Sequence, residues 1–115
     1  MKKIDEVIDE LLEIIHDIKE QLFGFGYEDF RTNRKLKIDI TDKILNLIDI
    51  YDSNINNFND IIPAENKNEI ENIKNQLLKN EAGIDTQLLW NICKMNLNKY
   101  EKGILKYKKD EISLN

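Results

Sequence analysis

Apolar residues recur at alternating intervals of four and three through the start of the chain, and this regularity constrains the fold more than any other feature. Six positions form the repeat: Ile4, Ile8, Leu11, Ile15, Ile18 and Leu22. Such spacing places an apolar stripe along one face of an α-helix. The first two turns also carry four acidic residues, which interact favourably with the helix dipole. We therefore predict an amphipathic helix over residues 3–23.

The rest of the chain has the same helical character. One proline and four glycines in 115 residues leave few points at which a helix must end. Apolar residues keep a helical spacing over residues 27–59, 63–81 and 86–109. A chain of this length forms one domain, so we predict a single all-α domain over residues 1–115, an antiparallel bundle of about four helices. The tail, residues 110–115, is expected to fray.

One short segment is ambiguous. Over residues 35–41, three apolar residues alternate with polar ones, as they do in a strand: Leu36, Ile38 and Ile40. No second alternating segment exists to pair with it, and an unpaired strand leaves its amide groups without hydrogen bonds. We predict helix here, with a bend near residues 39–41, and an extended conformation remains the alternative.

Candidate helix ends follow from glycine and capping residues. Gly24 or Gly26 is expected to end the first helix with a positive φ angle. Asp85 or Thr86 can cap the last helix. Gly103 lies inside that helix, where it is either a point of close packing or a weak spot.

Composition and charge exclude several classes of protein. The net charge of −5 and a pI near 4.9 argue against non-specific binding of nucleic acid, which depends on a basic surface. Cys93 is the only cysteine, so no disulfide can form within the chain and a reducing compartment is expected. No apolar run approaches the ~18 residues that span a bilayer. We predict a cytoplasmic protein without a membrane segment.

Few residues are suited to catalysis or metal binding. Glu13 and His16 have the Glu-x-x-His spacing found in di-iron helical bundles, but His16 is the only histidine and such a site needs two of these motifs. Cys93 falls on an apolar helix face, as buried structural thiols do. No phosphate-binding loop or nucleophile elbow is present. We expect no enzymatic activity, no metal site and no cofactor.

The segment of residues 23–37, FGFGYEDFRTNRKLK, combines four aromatic and four basic residues. We predict that its aromatic part fills a turn at the end of the core, and that its basic part is exposed unless the acidic first helix pairs with it. The candidate interaction residues are Tyr27, Phe30, Arg31, Arg34, Lys35 and Lys37. We expect this protein to bind a protein partner through them, with self-association into a homo-oligomer as an alternative.

A second candidate site surrounds Gly83. The segment LLKNEAGIDTQLLWNICK resembles a helix-turn-helix motif, with glycine in the turn and apolar residues such as Leu78 between the two helices. It departs from that motif at Lys79, where a small residue is usual. The resemblance implies a small DNA-binding regulator or mobile-element accessory protein, and four residues would face the major groove: Thr86, Gln87, Asn91 and Lys94. An ordinary corner between two helices is the alternative.

Overall fold

The computed structural model describes residues 4–54, 64–79 and 85–114 of the chain. Within these ranges the regular structure is helical throughout and contains no strand. The helices are α1 (Ile4–Leu22), α2 (Tyr27–Arg31), α3 (Arg34–Ser53), α4 (Ala64–Lys79), α5 (Thr86–Asn91), a π-helical segment (Ile92–Asn96) and α6 (Leu97–Leu114). The predicted all-α bundle is therefore confirmed. Residues 35–41 lie inside α3, so the helical interpretation of that segment is correct.

The predicted helix over residues 27–59 is wrong in one respect, because it is interrupted between α2 and α3. Asn33 adopts an extended conformation, with φ −105° and ψ 91°, and its side-chain oxygen accepts the backbone N–H of Leu36 at 3.0 Å. The Thr32 hydroxyl donates to the carbonyl oxygen of Glu28 at 3.0 Å. An asparagine in this role begins a new helix by satisfying an amide that the first turn leaves without a partner.

Gly24 ends α1 as predicted, with φ +84°, a conformation that other residues rarely adopt. The N–H of Phe25 donates to the carbonyl oxygen of Leu22 at 3.0 Å and closes a turn over residues 22–25. Gly26 then precedes α2, and the carboxylate of Asp29 accepts its N–H at 3.0 Å. Gly103 has open space around its Cβ position, so it is not a point of close packing.

One apolar cluster joins the described helices. Helix α1 packs against α3 and α6, and α4 packs against α3. All six residues of the α1 repeat except Ile4 are buried, and they meet apolar side chains from the other helices. The buried partners on α3 include Ile40, Ile44 and Ile48, which confirms the apolar stripe of that helix.

The last predicted helix, residues 86–109, is continuous but contains the π-helical segment. The side chain of Asp85 accepts the N–H of Leu88 at 3.1 Å, so the predicted cap is Asp85. The N–H of Leu97 donates to the carbonyl oxygen of Ile92, five residues earlier, as in a π-helix. Helical backbone continues to Leu114, and fraying of residues 110–115 stays a prediction. The ends predicted near residues 59, 63 and 81 fall outside the described ranges.

Glu69 attaches α4 to the π-helical segment and to the first turn of α6. Its carboxylate accepts hydrogen bonds from the Asn96 amide at 2.7 Å, from the Lys99 ammonium at 2.9 Å and from the Tyr100 hydroxyl. The bond from Tyr100, assisted by those from Lys99 and Asn96, lowers the pKa of Glu69 below its ordinary value although burial acts in the opposite direction. This carboxylate is therefore a charged anchor between α4 and the segment around residues 96–100.

Candidate functional site

Two of the predicted interaction residues lie against Trp90 of α5. The Phe30 ring centroid is 5.2 Å from that of Trp90, and the Tyr27 ring meets Trp90 edge-on at 5.7 Å. Phe30 is completely buried, whereas Tyr27 is partly exposed. Phe30 therefore belongs to the core, and α2 is held to the bundle by aromatic packing.

The basic residues of the predicted site are exposed for the most part, and α1 does not neutralise them. Arg31 forms an ion pair with Glu28 at 2.9 Å, on its own short helix. Lys37 donates to the carbonyl oxygen of Arg31 at 2.9 Å and to the Thr86 hydroxyl at 3.3 Å. Arg34 and Lys35 are exposed, and neither pairs with another residue in the described ranges.

Two side chains of α1 instead form ion pairs with α6. Asp9 pairs with Lys108 at 2.9 Å, and α1 also supplies Lys19 to Glu101 at 2.6 Å. The pairing follows from the packing, because α6 lies beside α1 and carries most of the lysine-rich end of the chain. None of the ion pairs among the described residues joins an acidic residue of α1 to a basic residue of segment 31–37. The described ion pairs therefore do not support neutralisation of this segment by α1.

The aromatic turn, which we define as residues 23–25, exposes apolar side chains to solvent. Phe23 is 87% exposed and Phe25 is 37% exposed, on either side of Gly24. The prediction that these rings cap the core is therefore wrong for Phe23. The reason is positional, because Phe23 directly follows Leu22, the last buried position of the α1 repeat, and the chain turns there before its ring can reach the core.

A cleft of about 300 Å³ opens beside the aromatic turn. We call it the aromatic cleft, and its lining residues are Lys19, Leu22, Phe23, Gly24, Phe25, Cys93, Lys94 and Asn98. Apolar groups and two lysines line it, with no carboxylate among these residues. Because Glu101 already pairs with Lys19, Lys94 is the cation that remains available at the cleft.

The π-helical segment supplies one wall of this cleft. Lys94 extends over the Trp90 ring, with its ammonium nitrogen 4.7 Å from the ring centroid. The Asn98 amide donates to the carbonyl oxygen of Lys94 at 2.8 Å. The aromatic turn and the π-helical segment, which are about 70 residues apart in the sequence, thus form one surface.

A second hollow lies on the other side of Phe23. Its lining residues are His16, Lys19, Glu20 and Phe23. Here His16 pairs with Glu20 at 3.2 Å, and both side chains are largely exposed. Phe23 therefore projects between two concave surfaces, and Glu20 lies one helical turn before it on α1.

Two further candidate chemical groups are Cys93 and His16. Burial raises the pKa of the Cys93 thiol to about 12, which leaves it a weak nucleophile at neutral pH. His16 contacts Glu20 and is exposed. Among the residues that the structure describes, no group of three or more potential ligand side chains is placed to hold a metal ion.

The second candidate site is described only in part, because Gly83 and the rest of residues 80–84 lie outside the described ranges. Gln87 and Asn91 are exposed, and the Gln87 amide donates to the Asn91 side-chain oxygen at 3.3 Å. Leu78, which the helix-turn-helix resemblance places between two packed helices, is 47% exposed. The bond from Lys37 to Thr86 brings this site next to the basic residues of α3.

No protein-family model, curated protein or solved structure matches the chain. None of the helices in the described part of the chain combines the length and the apolar character needed to span a bilayer.

Sequence reasoning missed most of the aromatic cleft. Lys19, Asn98 and the exposure of Phe23 were not predicted, because only the fold brings them together. One signal was available, since the α1 repeat ends at Leu22 and a large apolar residue follows immediately before a glycine. The contacts of Trp90, the only tryptophan, with Tyr27, Phe30 and Lys94 also depend on the tertiary structure.

Proposed function

We propose that this protein is a small non-enzymatic helical bundle that acts by binding another polypeptide chain, and that it binds through the aromatic turn and the aromatic cleft. The observation that carries the proposal is the 87% exposure of Phe23 on a hydrogen-bonded turn beside a cleft. Large aromatic side chains supply much of the energy at protein interfaces when a partner excludes water from them.

The surroundings of Phe23 support a specific surface rather than an isolated apolar residue. Phe25 extends the exposed apolar area, while Lys94 and Asn98 add polar groups at its edge. An apolar centre with a polar rim is the usual arrangement of a protein interface. The exposed Arg34 and Lys35 lie outside this cleft, so the surface we propose is centred on residues 23–25 and not on residues 31–37.

Affinity capture from extract of the source cells tests this function. The bait is the full chain, compared with Phe23→Ala and with Leu105→Ala, a matched control that removes an apolar side chain, 48% exposed, from α6. Polypeptides retained by the wild type and by Leu105→Ala, but lost from Phe23→Ala, would support the proposal. Equal capture by all three baits, or none by any, would contradict it.

Binding of duplex DNA is a second candidate, favoured by one observation. The bond between Lys37 and Thr86 places the basic start of α3 beside the exposed Gln87 and Asn91. Salt-dependent binding of duplex DNA, lost when Gln87 and Asn91 are both changed to alanine, would support this candidate. Absence of binding at low salt would eliminate it.

A further inference from the structure

We propose that the occupant of the aromatic cleft is Phe23 of a second copy of this chain, so that the protein forms a two-fold symmetric dimer. This inference rests on the proposed function, because it names the polypeptide that the aromatic surface binds. It also specifies which side chains meet and which charges pair across the interface.

The surface around Phe23 is complementary to itself in shape. Phe23 is a projecting ring and also part of the wall of the adjacent cleft. In a two-fold interface the same patch occurs on both sides, so a ring that enters the opposite cleft receives the opposite ring in return. A cleft of about 300 Å³ accommodates an aromatic side chain, which there contacts Phe23 and Phe25.

The charges around Phe23 are complementary as well. The cleft contains lysines and no carboxylate among its lining residues, so it favours an apolar group that brings negative charge with it. The end of α1 carries that combination, because Glu20 is exposed one helical turn before Phe23. When Phe23 of one copy enters the cleft of the other, its neighbouring Glu20 approaches Lys94 of that other copy.

These charges differ in the partners that they have within one chain. Lys19 is paired with Glu101, whereas Lys94 contacts the face of Trp90 and no carboxylate in the described part of the chain. Glu20 contacts His16 at 3.2 Å and pairs with no lysine or arginine among the described residues. In the dimer, Lys94 of one copy and Glu20 of the other would each gain an oppositely charged partner.

Sedimentation of the purified chain over a wide range of concentration tests the proposal. We expect a concentration-dependent dimer whose dissociation constant rises at least about tenfold in Phe23→Ala and is unchanged in Leu105→Ala. Lys94→Glu should also weaken the dimer, because it sets two carboxylates against each other. Combining Lys94→Glu with Glu20→Lys should restore association, since the charges are exchanged across the interface. Circular dichroism on each variant verifies that the helices remain folded.

Two results would overturn the dimer. One is a wild-type chain that stays monomeric at all concentrations, and the other is a dimer indifferent to Phe23→Ala. A monomeric chain that still captures another protein in a Phe23-dependent manner would refute the dimer and leave the proposed function standing. A dimer that survives Lys94→Glu and is not weakened by it would show that the assigned charge pairing is wrong.

Discussion

The Phe30 and Trp90 rings lie with their centroids 5.2 Å apart and join α2 to α5, two short helices that are distant in the sequence. The Phe30 side chain is completely buried. Phe30→Ala should therefore lower the free energy of unfolding by about 3–5 kcal/mol, as truncation of a buried phenylalanine does. Urea denaturation measures it, and Phe23→Ala is the control, expected to change stability by less than about 0.5 kcal/mol because that ring is exposed.

Substitution of Gly24 and of Gly103 by alanine should change the stability of the fold in opposite directions. Gly24 has φ +84°, where a Cβ is strained, so Gly24→Ala should destabilise the fold by about 1–2 kcal/mol. Gly103 lies within α6 with open space at its Cβ position, so Gly103→Ala should stabilise it by about 0.5–1 kcal/mol. Thermal denaturation of both variants checks the pair. Equal effects of one sign would contradict the assigned conformations.

Asn33 should contribute to stability through its side chain. Its oxygen accepts the N–H of Leu36 at the start of α3, so Asn33→Ala should cost about 0.5–2 kcal/mol. Asn33→Asp keeps the accepting oxygen and should retain most of the stability. If Asn33→Ala and Asn33→Asp unfold at the same denaturant concentration, the capping role assigned to Asn33 is wrong.

Because of Glu69, the free energy of unfolding should decrease as the pH becomes acidic. Its pKa in the folded chain lies below the ordinary value of 4.5, chiefly because Tyr100 donates to it. The charged form is therefore favoured by folding, and this contribution is complete above pH 4.5 and is lost as the pH falls through the folded-state pKa.

Glu69→Gln should accordingly be less stable at neutral pH and lose less of its remaining stability on acidification. Denaturation midpoints measured from neutral to acidic pH test this. Glu71→Gln is the matched control, because it removes the same charge from an exposed position of the same helix. An identical decline in Glu69→Gln and the wild type would contradict the role of the hydrogen-bonded carboxylate.

Cys93 should react slowly with thiol reagents in the folded chain. Burial raises its pKa to about 12, so at pH 8 the reactive thiolate is a very small fraction of the population. Alkylation by iodoacetamide, followed by mass spectrometry, should proceed far more slowly in buffer than in concentrated urea. Comparable rates in the two conditions would show that Cys93 is accessible in the native state.

Local patterns were sufficient to predict the helices but not all of their ends. Every position of the α1 repeat is consistent with a helix, so the prediction of α1 does not depend on any single residue. The break before α3 depends on one side chain, Asn33, within a segment whose apolar residues remain spaced as in a helix. A single capping residue is a weak signal against that periodicity, which is why the two helices were predicted as one.

The candidate site was less predictable, because solvent exposure depends on where the chain turns. Aromatic residues are usually buried, and the sequence alone does not separate Phe30, which is buried, from Phe23, which is not. The aromatic cleft also requires the π-helical segment, where the Asn96 amide donates to Glu69 of α4. This contact links residues that are far apart in the chain.

The hydrogen bond that closes the turn at Gly24 would also affect the thermodynamics of the proposed association. Because the backbone on both sides of Phe23 is already fixed, a partner has to immobilise little more than the phenyl ring. Ordering one side chain costs about 0.5–1.5 kcal/mol, much less than ordering a flexible loop. A substitution that loosens this turn should therefore weaken binding through conformational entropy, even when Phe23 and every residue of the cleft are retained.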